Sequence, residues 1–240
     1  MKIVFTPDWF LSPDVIIEVF SFVILFLFFI FSYKNYKLNK NKNSLYLGIG
    51  FLLIALAELA TILTKLILYY DTSFTQTVGQ IIVTYQAVQS VDIFYYVGFF
   101  WHKLLTLAGF FMIYRLPFKK TFAGDFIFGV YFLLISALFS VGFYYLFHLT
   151  ALILLILIIG NYYEVYKKNK SDNTKLLISA LSLLAFSQVI FILSKFVVFY
   201  AIAQVIQLVS YILLLVLIIR ILQHGKSYKG FLGKKKNGKK

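Results

Sequence analysis

Residues 46–70 read YLGIGFLLIALAELATILTKLILYY, and residues 176–200 read LLISALSLLAFSQVIFILSKFVVFY. The two stretches align without a gap, and the match continues upstream to cover residues 31–70 and 161–200. Both are long apolar runs of about the length that crosses a bilayer as a helix, roughly 20 residues. The alignment therefore predicts a membrane-embedded segment that occurs twice in the chain.

The polar residues inside these runs carry most of the weight of the alignment, because apolar membrane segments resemble one another by chance. Lys65 aligns with Lys195, and Glu58 aligns with Gln188. A charged residue costs about 2.5–3.5 kcal/mol at the centre of a membrane-spanning helix. The repeated polar positions therefore indicate a candidate functional site as well as a duplicated architecture.

Composition assigns the whole chain to the class of polytopic membrane proteins. Of its 240 residues, 61% are hydrophobic and only 13% are charged, against roughly 25% charged residues in soluble domains. The mean hydropathy is +0.88. Since irregular backbone cannot face lipid, runs of this length are expected to be helices. The seven runs are about 15–33, 46–70, 93–115, 126–147, 149–166, 176–200 and 202–222.

The predicted fold is all-α, with seven transmembrane helices arranged as two parallel three-helix repeats joined by a linker helix. Helices 1–3 occupy residues 15–115, the linker helix 4 occupies 126–147, and helices 5–7 occupy 149–222. An odd number of linker helices leaves both repeats in the same membrane orientation. The first repeat carries an extra segment, 71–92, which fits an amphipathic surface helix, an extension of helix 3 or an irregular cap.

The net charge of +14 follows the alternation of loops expected from the positive-inside rule. Lys and Arg cluster in the connections near 34–44, 115–120 and 167–175, and in the tail 223–240. The intervening connections lack them. We therefore expect a multi-pass protein of the cell membrane, with residues 1–14 outside and the C-terminus in the cytoplasm.

The tail is polybasic, and its expected partners are membrane lipids. Clusters of basic residues beside a final span attract anionic headgroups, with about 1 kcal/mol per residue near the surface. A solvated tail is the ordinary alternative, and nucleic acid is not expected as a partner. The candidate headgroup-binding residues are Lys234, Lys235, Lys236, Lys239 and Lys240.

Three polar residues are predicted deep in helices 2 and 3. Glu58 lies near the bilayer midplane, and His102 and Lys103 lie at a comparable depth in the next helix. A Glu58–Lys103 pair is geometrically reasonable, since the two helices are neighbours in sequence. Such a pair either fixes the helix register or forms a centre that responds to protons or anions.

Lys65 and Lys195 allow two interpretations. Each lies near the outer end of its helix, so its ammonium could snorkel to the headgroups. Alternatively, both lysines line a cavity open to the outside, since Lys65 shares a helix face with Glu58 and Lys195 shares one with Gln188. The candidate ligand-binding residues are then Glu58, Lys65, His102, Lys103, Gln188, Lys195, Gln204 and Gln207, and Glu18, Gln89 and Asp92 could complete the site.

The sequence gives no sign of a catalytic or metal centre. The chain has no cysteine, and its three histidines fall in different elements and at different predicted depths. No recognised catalytic motif occurs. We therefore expect no cofactor, no metal and no enzymatic activity, although Glu58, His102 and Lys103 leave an intramembrane enzyme open.

Helix 7 supplies a sequence resemblance. The stretch from Gln207 to Leu215, running on to Ile219 and Arg220, resembles uncharacterised small archaeal seven-helix membrane proteins. The arrangement of two parallel triplets is similar at the fold level to SWEET-type sugar transporters, and the outside N-terminus and seven spans are similar to microbial rhodopsins. The residues depart from both families. No span contains the Pro-Gln pair that marks the sugar transporters, and helix 7 lacks the Schiff-base lysine expected of a retinal-binding protein.

The leading hypothesis for function is a membrane module that binds or senses a small or lipidic ligand, or docks a partner membrane protein. It rests on the polar cluster in the outer half of the bundle. The alternatives are a small-solute or ion transporter or channel built from the duplicated triplets, and a structural subunit of a membrane assembly. A polar path from both sides would favour transport, and a cavity closed below Glu58 would favour binding.

Overall fold

A computed structural model describes residues 8–40, 42–78, 81–116, 123–140, 143–194 and 197–237, with most side chains described over 9–67, 96–116, 126–140, 143–194 and 198–221. In these ranges the chain is helical, with a short 3-10 turn, Asp8–Phe10, followed by seven α-helices. The helices are α1 (Leu11–Asn39), α2 (Lys42–Val78), α3 (Ile81–Arg115), α4 (Ala123–Phe139), α5 (Tyr144–Asn169), α6 (Asp172–Ile192) and α7 (Val197–Asn237).

The all-helical membrane fold is confirmed. Within the described ranges, six helices are long and apolar enough to cross a membrane, namely all except α4. The described apolar part of α4 is the shorter stretch Gly129–Phe139. The protein is therefore a polytopic helical membrane protein.

Six of the helices form a closed ring. Within each triplet, α1 packs on α2 and α2 on α3, while α5 packs on α6 and α6 on α7. Contacts between α3 and α5, and between α1 and α7, join the triplets along two seams. A two-fold axis along the membrane normal would exchange these seams, as the predicted parallel repeat requires. The repeat itself stays a prediction.

The helices on each side of α4 run in the same direction. Near the start of α5, the Phe147 ring lies 5.7 Å from that of His102 on α3. Further along both helices, Asn161 Nδ2 donates to the Tyr114 carbonyl at 3.3 Å. Because α3 and α5 are parallel, α4, which connects them in sequence, has to run in the opposite direction. It lies outside the ring, in contact with α3 and α5.

The predicted boundary between helices 4 and 5 is wrong. The prediction carried helix 4 to residue 147, whereas α4 ends at Phe139 and Tyr144 already belongs to α5. The Ser140 hydroxyl donates to the Ala137 carbonyl at 2.7 Å, and the Lys103 ammonium donates to the Ser140 carbonyl at 2.8 Å. A cation that satisfies a terminal carbonyl stabilises a helix end, so the apolar run breaks there into two helices.

The extra segment 71–92 is built from its two neighbouring helices. The α2 helix continues to Val78, and α3 begins at Ile81. This corresponds to the predicted extension of helix 3, with α2 lengthened as well, and it contradicts the irregular cap. The side chains of this segment lie outside the described residues.

Two lysines end their helices in the same way. Lys40 caps α1 with a φ of 54°, and Lys170 caps α5 with a φ of 45°. Their backbone N–H groups donate to the carbonyls of Tyr36 and Tyr166 at 2.8 and 2.7 Å. A left-handed residue is a common helix stop because it redirects the chain while its N–H satisfies a terminal carbonyl. Lys40 and Lys170 occupy equivalent positions of the predicted repeat.

Candidate functional site

A cavity of about 190 Å³ lies inside the ring of six helices. It occupies the half of the bundle toward which the N-terminal ends of α1, α3, α5 and α7 point. We call this the upper half. Its volume lies under the roughly 300–1,000 Å³ of pockets for drug-sized ligands, so it suits a small molecule. The polar residues that line it are Glu18, Glu58, Thr61, Lys65, Tyr96, His102, Lys103, Thr106, Ser140, Tyr144, His148, Gln188, Ser194, Tyr200, Gln204, Gln207 and Tyr211.

Lys65 is the centre of a buried ionic cluster at one end of the cavity. Its Nζ lies 2.5 Å from Asp14 Oδ2 and also donates to Glu18 Oε1. The side chain is only 4% exposed. A buried ion pair needs this close pairing because taking charges out of water is costly. The snorkelling interpretation of Lys65 is therefore wrong, and the residue lies in the cavity wall.

The Tyr200 hydroxyl completes this cluster and ties α7 to it. It donates to Asp14 Oδ1 at 3.0 Å and accepts from Lys65 Nζ at 3.2 Å. Its remaining lone pair accepts from Gln204 Nε2 at 3.1 Å. Because the single hydroxyl proton is given to Asp14, Gln204 has to present its N–H to Tyr200. The Gln204 carbonyl oxygen is thereby turned away from the cluster.

Glu58 is held by α7 rather than by α3. Its Oε1 accepts from the Tyr211 hydroxyl at 3.1 Å and from Gln207 Nε2 at 3.4 Å. Lys103 instead donates to the Ser140 carbonyl and forms no ion pair with a described residue. The Glu58–Lys103 pair is therefore wrong. The end of α4 takes the ammonium, and two neutral donors satisfy the carboxylate.

The two membrane-embedded histidines meet at the same cavity. His102 Nδ1 lies 3.1 Å from the Ala57 carbonyl, and His148 Nδ1 lies 2.9 Å from Gln188 Oε1. A carbonyl oxygen can only accept, so each Nδ1 is the donor, and a neutral ring then carries its acceptor lone pair on Nε2. The expectation of different depths for these histidines is wrong. Among the described residues, those of the cavity included, no group of three His, Cys, Asp or Glu side chains is placed to hold a metal ion.

Three buried polar atoms at the cavity lack a hydrogen-bond partner among the described residues. They are Glu18 Oε2, Thr106 Oγ1 and Gln204 Oε1. All three residues line the cavity. Burying a polar atom without a partner costs about 1–3 kcal/mol, and more for a charged group. A molecule that supplied hydrogen bonds to these atoms would remove this cost.

An apolar core closes the cavity below. Each of the six ring helices contributes buried side chains in the lower half, and together they form one continuous cluster. The layer includes Ile24, Leu25, Phe28, Phe51, Ile54, Leu107, Phe110, Ile113, Leu155, Ile158, Leu177, Leu181, Leu214, Leu217 and Ile218. The polar lining therefore stops at about the level of Glu58 and Tyr211.

Seven of the eight predicted site residues line this one cavity. They are Glu58, Lys65, His102, Lys103, Gln188, Gln204 and Gln207. Lys195 lies outside the described residues. Of the predicted headgroup lysines, Lys234, Lys235 and Lys236 fall within the bounds of α7 but their side chains are not described, and Lys239 and Lys240 lie beyond the described part.

Four important residues were missed from the sequence. Asp14 was assigned to an external N-terminus, yet α1 begins at Leu11 and buries it completely. The signal available was its spacing of four from Glu18, which places both carboxylates on one helix face. Tyr200 and Tyr211 have the same spacing of four from Gln204 and Gln207. His148 fell in the predicted connection between helices 4 and 5, outside both spans.

The MASE3 family, described as a membrane-associated sensor domain, matches residues 6–221 of the chain. The match runs from the turn before α1 to the membrane part of α7 and so includes the whole cavity. No curated protein and no solved structure matches the chain. The family match supports a membrane sensor and not the resemblances to archaeal seven-helix proteins, sugar transporters or rhodopsins. The chain belongs to the MASE3 family of membrane-associated sensor domains.

Proposed function

We propose that this sensor detects a small polar ligand held in the cavity of the upper half. The observation that carries the proposal is the set of unpartnered buried atoms, Glu18 Oε2, Thr106 Oγ1 and Gln204 Oε1, in one cavity. A ligand that supplies hydrogen bonds to these atoms offsets the cost of burying them without partners. Binding, and not chemistry on the ligand, is the proposed event.

The apolar floor supports binding over transport. A transported solute needs a polar route to both faces of the membrane, whereas the six-helix core below Glu58 consists of packed aliphatic and aromatic side chains. Assembly as a purely structural subunit gives no role to buried acceptors around a cavity. The sensor hypothesis accounts for both features.

The α7 helix is proposed to contact the ligand and to transmit its binding across the membrane. Tyr200, Gln204, Gln207 and Tyr211 recur at helical spacing and line the cavity from one face of this helix. The same helix is continuous from Val197 to Asn237, well beyond the span that ends at Ile221. A small rotation or shift of α7 on binding would therefore be carried to the opposite side of the membrane.

The proposed orientation places the cavity toward the outside of the cell and the tail in the cytoplasm. It rests on the alternation of basic loops. The proposal also includes lipid contacts by the tail lysines. Since the chain has no cysteine, single cysteines report orientation cleanly. An impermeant thiol reagent added to intact cells should label Thr84→Cys and spare Asn169→Cys, and the reverse pattern would contradict this orientation.

Native mass spectrometry of the purified protein tests the sensing role. Wild type should retain a small molecule, and Thr106→Phe should release it, because the ring fills the cavity and removes one of the unpartnered atoms. Val97→Phe is the matched control on the same helix, since Val97 is 49% exposed and is not among the residues that line the cavity. Equal retention by the two variants would overturn the proposal.

A further inference from the structure

The two seams that join the triplets carry groups of opposite charge. At the α1–α7 seam, the two carboxyl groups of Asp14 and Glu18 share the single ammonium of Lys65, so the acidic groups outnumber the basic one. At the α3–α5 seam, Lys103 contributes an ammonium that forms no ion pair with a described residue. Both Glu18 and Lys103 line the cavity. A molecule in the cavity therefore meets an acidic wall with an excess carboxyl group and a basic wall with a lone ammonium.

This polarity arises from a difference between equivalent positions. In the register that aligns Lys65 with Lys195, Asp14 aligns with Tyr144 and Glu18 aligns with His148. The α1 helix thus brings two carboxylates to the cavity, while the corresponding turn of α5 brings a phenol and an imidazole. At these aligned positions the carboxyl groups consequently lie on α1 only, while the third carboxyl group of the cavity, Glu58 on α2, accepts from Tyr211 and Gln207.

Each wall has hydrogen-bonding capacity of the matching kind. On the acidic side, Glu18 Oε2 and Gln204 Oε1 are buried acceptors without a partner in the described part of the chain; the two residues are 4% and 6% exposed. On the basic side, the Lys103 ammonium has three N–H donors, and the Ser140 carbonyl takes one of them. Phe99, Phe147 and Phe191 also line the cavity.

We propose that the ligand is a small zwitterion with amino-acid chemistry. Its ammonium binds Glu18 and Gln204, and its carboxylate binds Lys103. A lone cation or a lone anion would satisfy one wall and leave the other charge buried without a partner, which is costly in an apolar surrounding. A zwitterion satisfies both walls and adds no net charge. This inference rests on the proposed sensing role of the cavity.

The test is titration of the free α-amino acids into the full chain, held in phosphatidylcholine nanodiscs and followed by thermal stabilisation. The best ligand is then compared with its methyl ester, which keeps only the ammonium, and its N-acetyl derivative, which keeps only the carboxylate. The parent should bind about tenfold or more tightly than either, because each derivative loses a charge-assisted contact.

Two variants assign the two ends of the ligand. Lys103→Met should weaken the parent amino acid about tenfold while leaving the methyl ester unchanged. Since Glu18 also holds Lys65, the ammonium end is tested with Gln204→Met, which should weaken the parent and the ester but not the N-acetyl derivative. Equal effects on all three ligands would indicate a structural role for these residues and would overturn the assignment.

A lipid headgroup with a primary ammonium shares this chemistry. A second arm therefore replaces some phosphatidylcholine with phosphatidylethanolamine and adds no amino acid. Stabilisation that depends on Lys103 in this arm alone would identify the lipid as the source. An ester as tight as the parent, or no response in either arm, would overturn the inference. The native mass spectrometry of Thr106→Phe separates the two proposals when the zwitterion inference fails. If this variant still releases a molecule that wild type retains, the sensing role stands. If it does not, both proposals fail.

Discussion

Lys65 Nζ lies 2.5 Å from Asp14 Oδ2, so that the second helix is fastened to the first by an ion pair inside the membrane. The Asp14 side chain is fully buried, and Glu18 and Tyr200 complete the contacts of the ammonium. The cluster therefore joins α1, α2 and α7 at one end of the cavity. Its charge balance and its geometry lead to separate predictions.

Lys65→Met should lower the free energy of unfolding by about 3–5 kcal/mol, because Asp14 and Glu18 would stay buried without a countercharge. Thermal unfolding in nanodiscs measures the loss. The exposed Lys168→Met should change stability by no more than about 0.5 kcal/mol. The triple variant Lys65→Met, Asp14→Asn, Glu18→Gln should recover much of the loss, and a triple variant no more stable than the single one would contradict this electrostatic account.

Tyr200→Phe should cost about 1–3 kcal/mol, because the hydroxyl is at once donor to Asp14 and acceptor for Lys65 and Gln204. The matched control is Tyr163→Phe, whose ring is exposed on α5, and which should leave the melting temperature nearly unchanged. Similar melting temperatures for the two variants would mean that the Tyr200 hydroxyl has no structural role.

Gly109→Ala should destabilise the first triplet, because a Cβ at residue 109 would lie 2.7 Å from the Gly50 carbonyl and 2.5 Å from Ile54. The α2 and α3 helices would have to move apart, at a cost of about 1–3 kcal/mol for overpacking. Gly160→Ala is the control on α5, where no atom lies within 4 Å. It should be neutral or stabilising by up to about 1 kcal/mol, so loss of stability in both variants would point to a different cause.

Lys40→Gly and Lys170→Gly should each raise stability, by up to about 1 kcal/mol, because glycine adopts the left-handed conformation of these caps without the steric cost of a Cβ. Lys34→Gly, inside α1, should instead cost about 1 kcal/mol. Differential scanning calorimetry of the three variants provides the comparison. A loss at residues 40 and 170 as large as the one at residue 34 would rule out the left-handed caps.

Much of the site could be predicted from the sequence because polar residues are rare in apolar runs. Glu58, Lys65, His102 and Lys103 stand out on that ground alone, and all four line the cavity. Their partners could not be predicted in the same way. The sequence favoured Glu58 with Lys103, whereas Glu58 binds Tyr211 and Gln207, and Lys103 binds the end of α4.

The sequence by itself determined the class of protein, its helices and the residues that cannot face lipid, because the cost of polar groups in a bilayer acts on each run separately. Only the tertiary structure decided which of those residues meet. Lipid is as apolar as the helix surfaces, so helix rotation and depth are set by close packing and interhelical hydrogen bonds. Those contacts, made between α1, α2 and α7, turned Lys65 inward to Asp14 and Glu18 instead of outward to the headgroups.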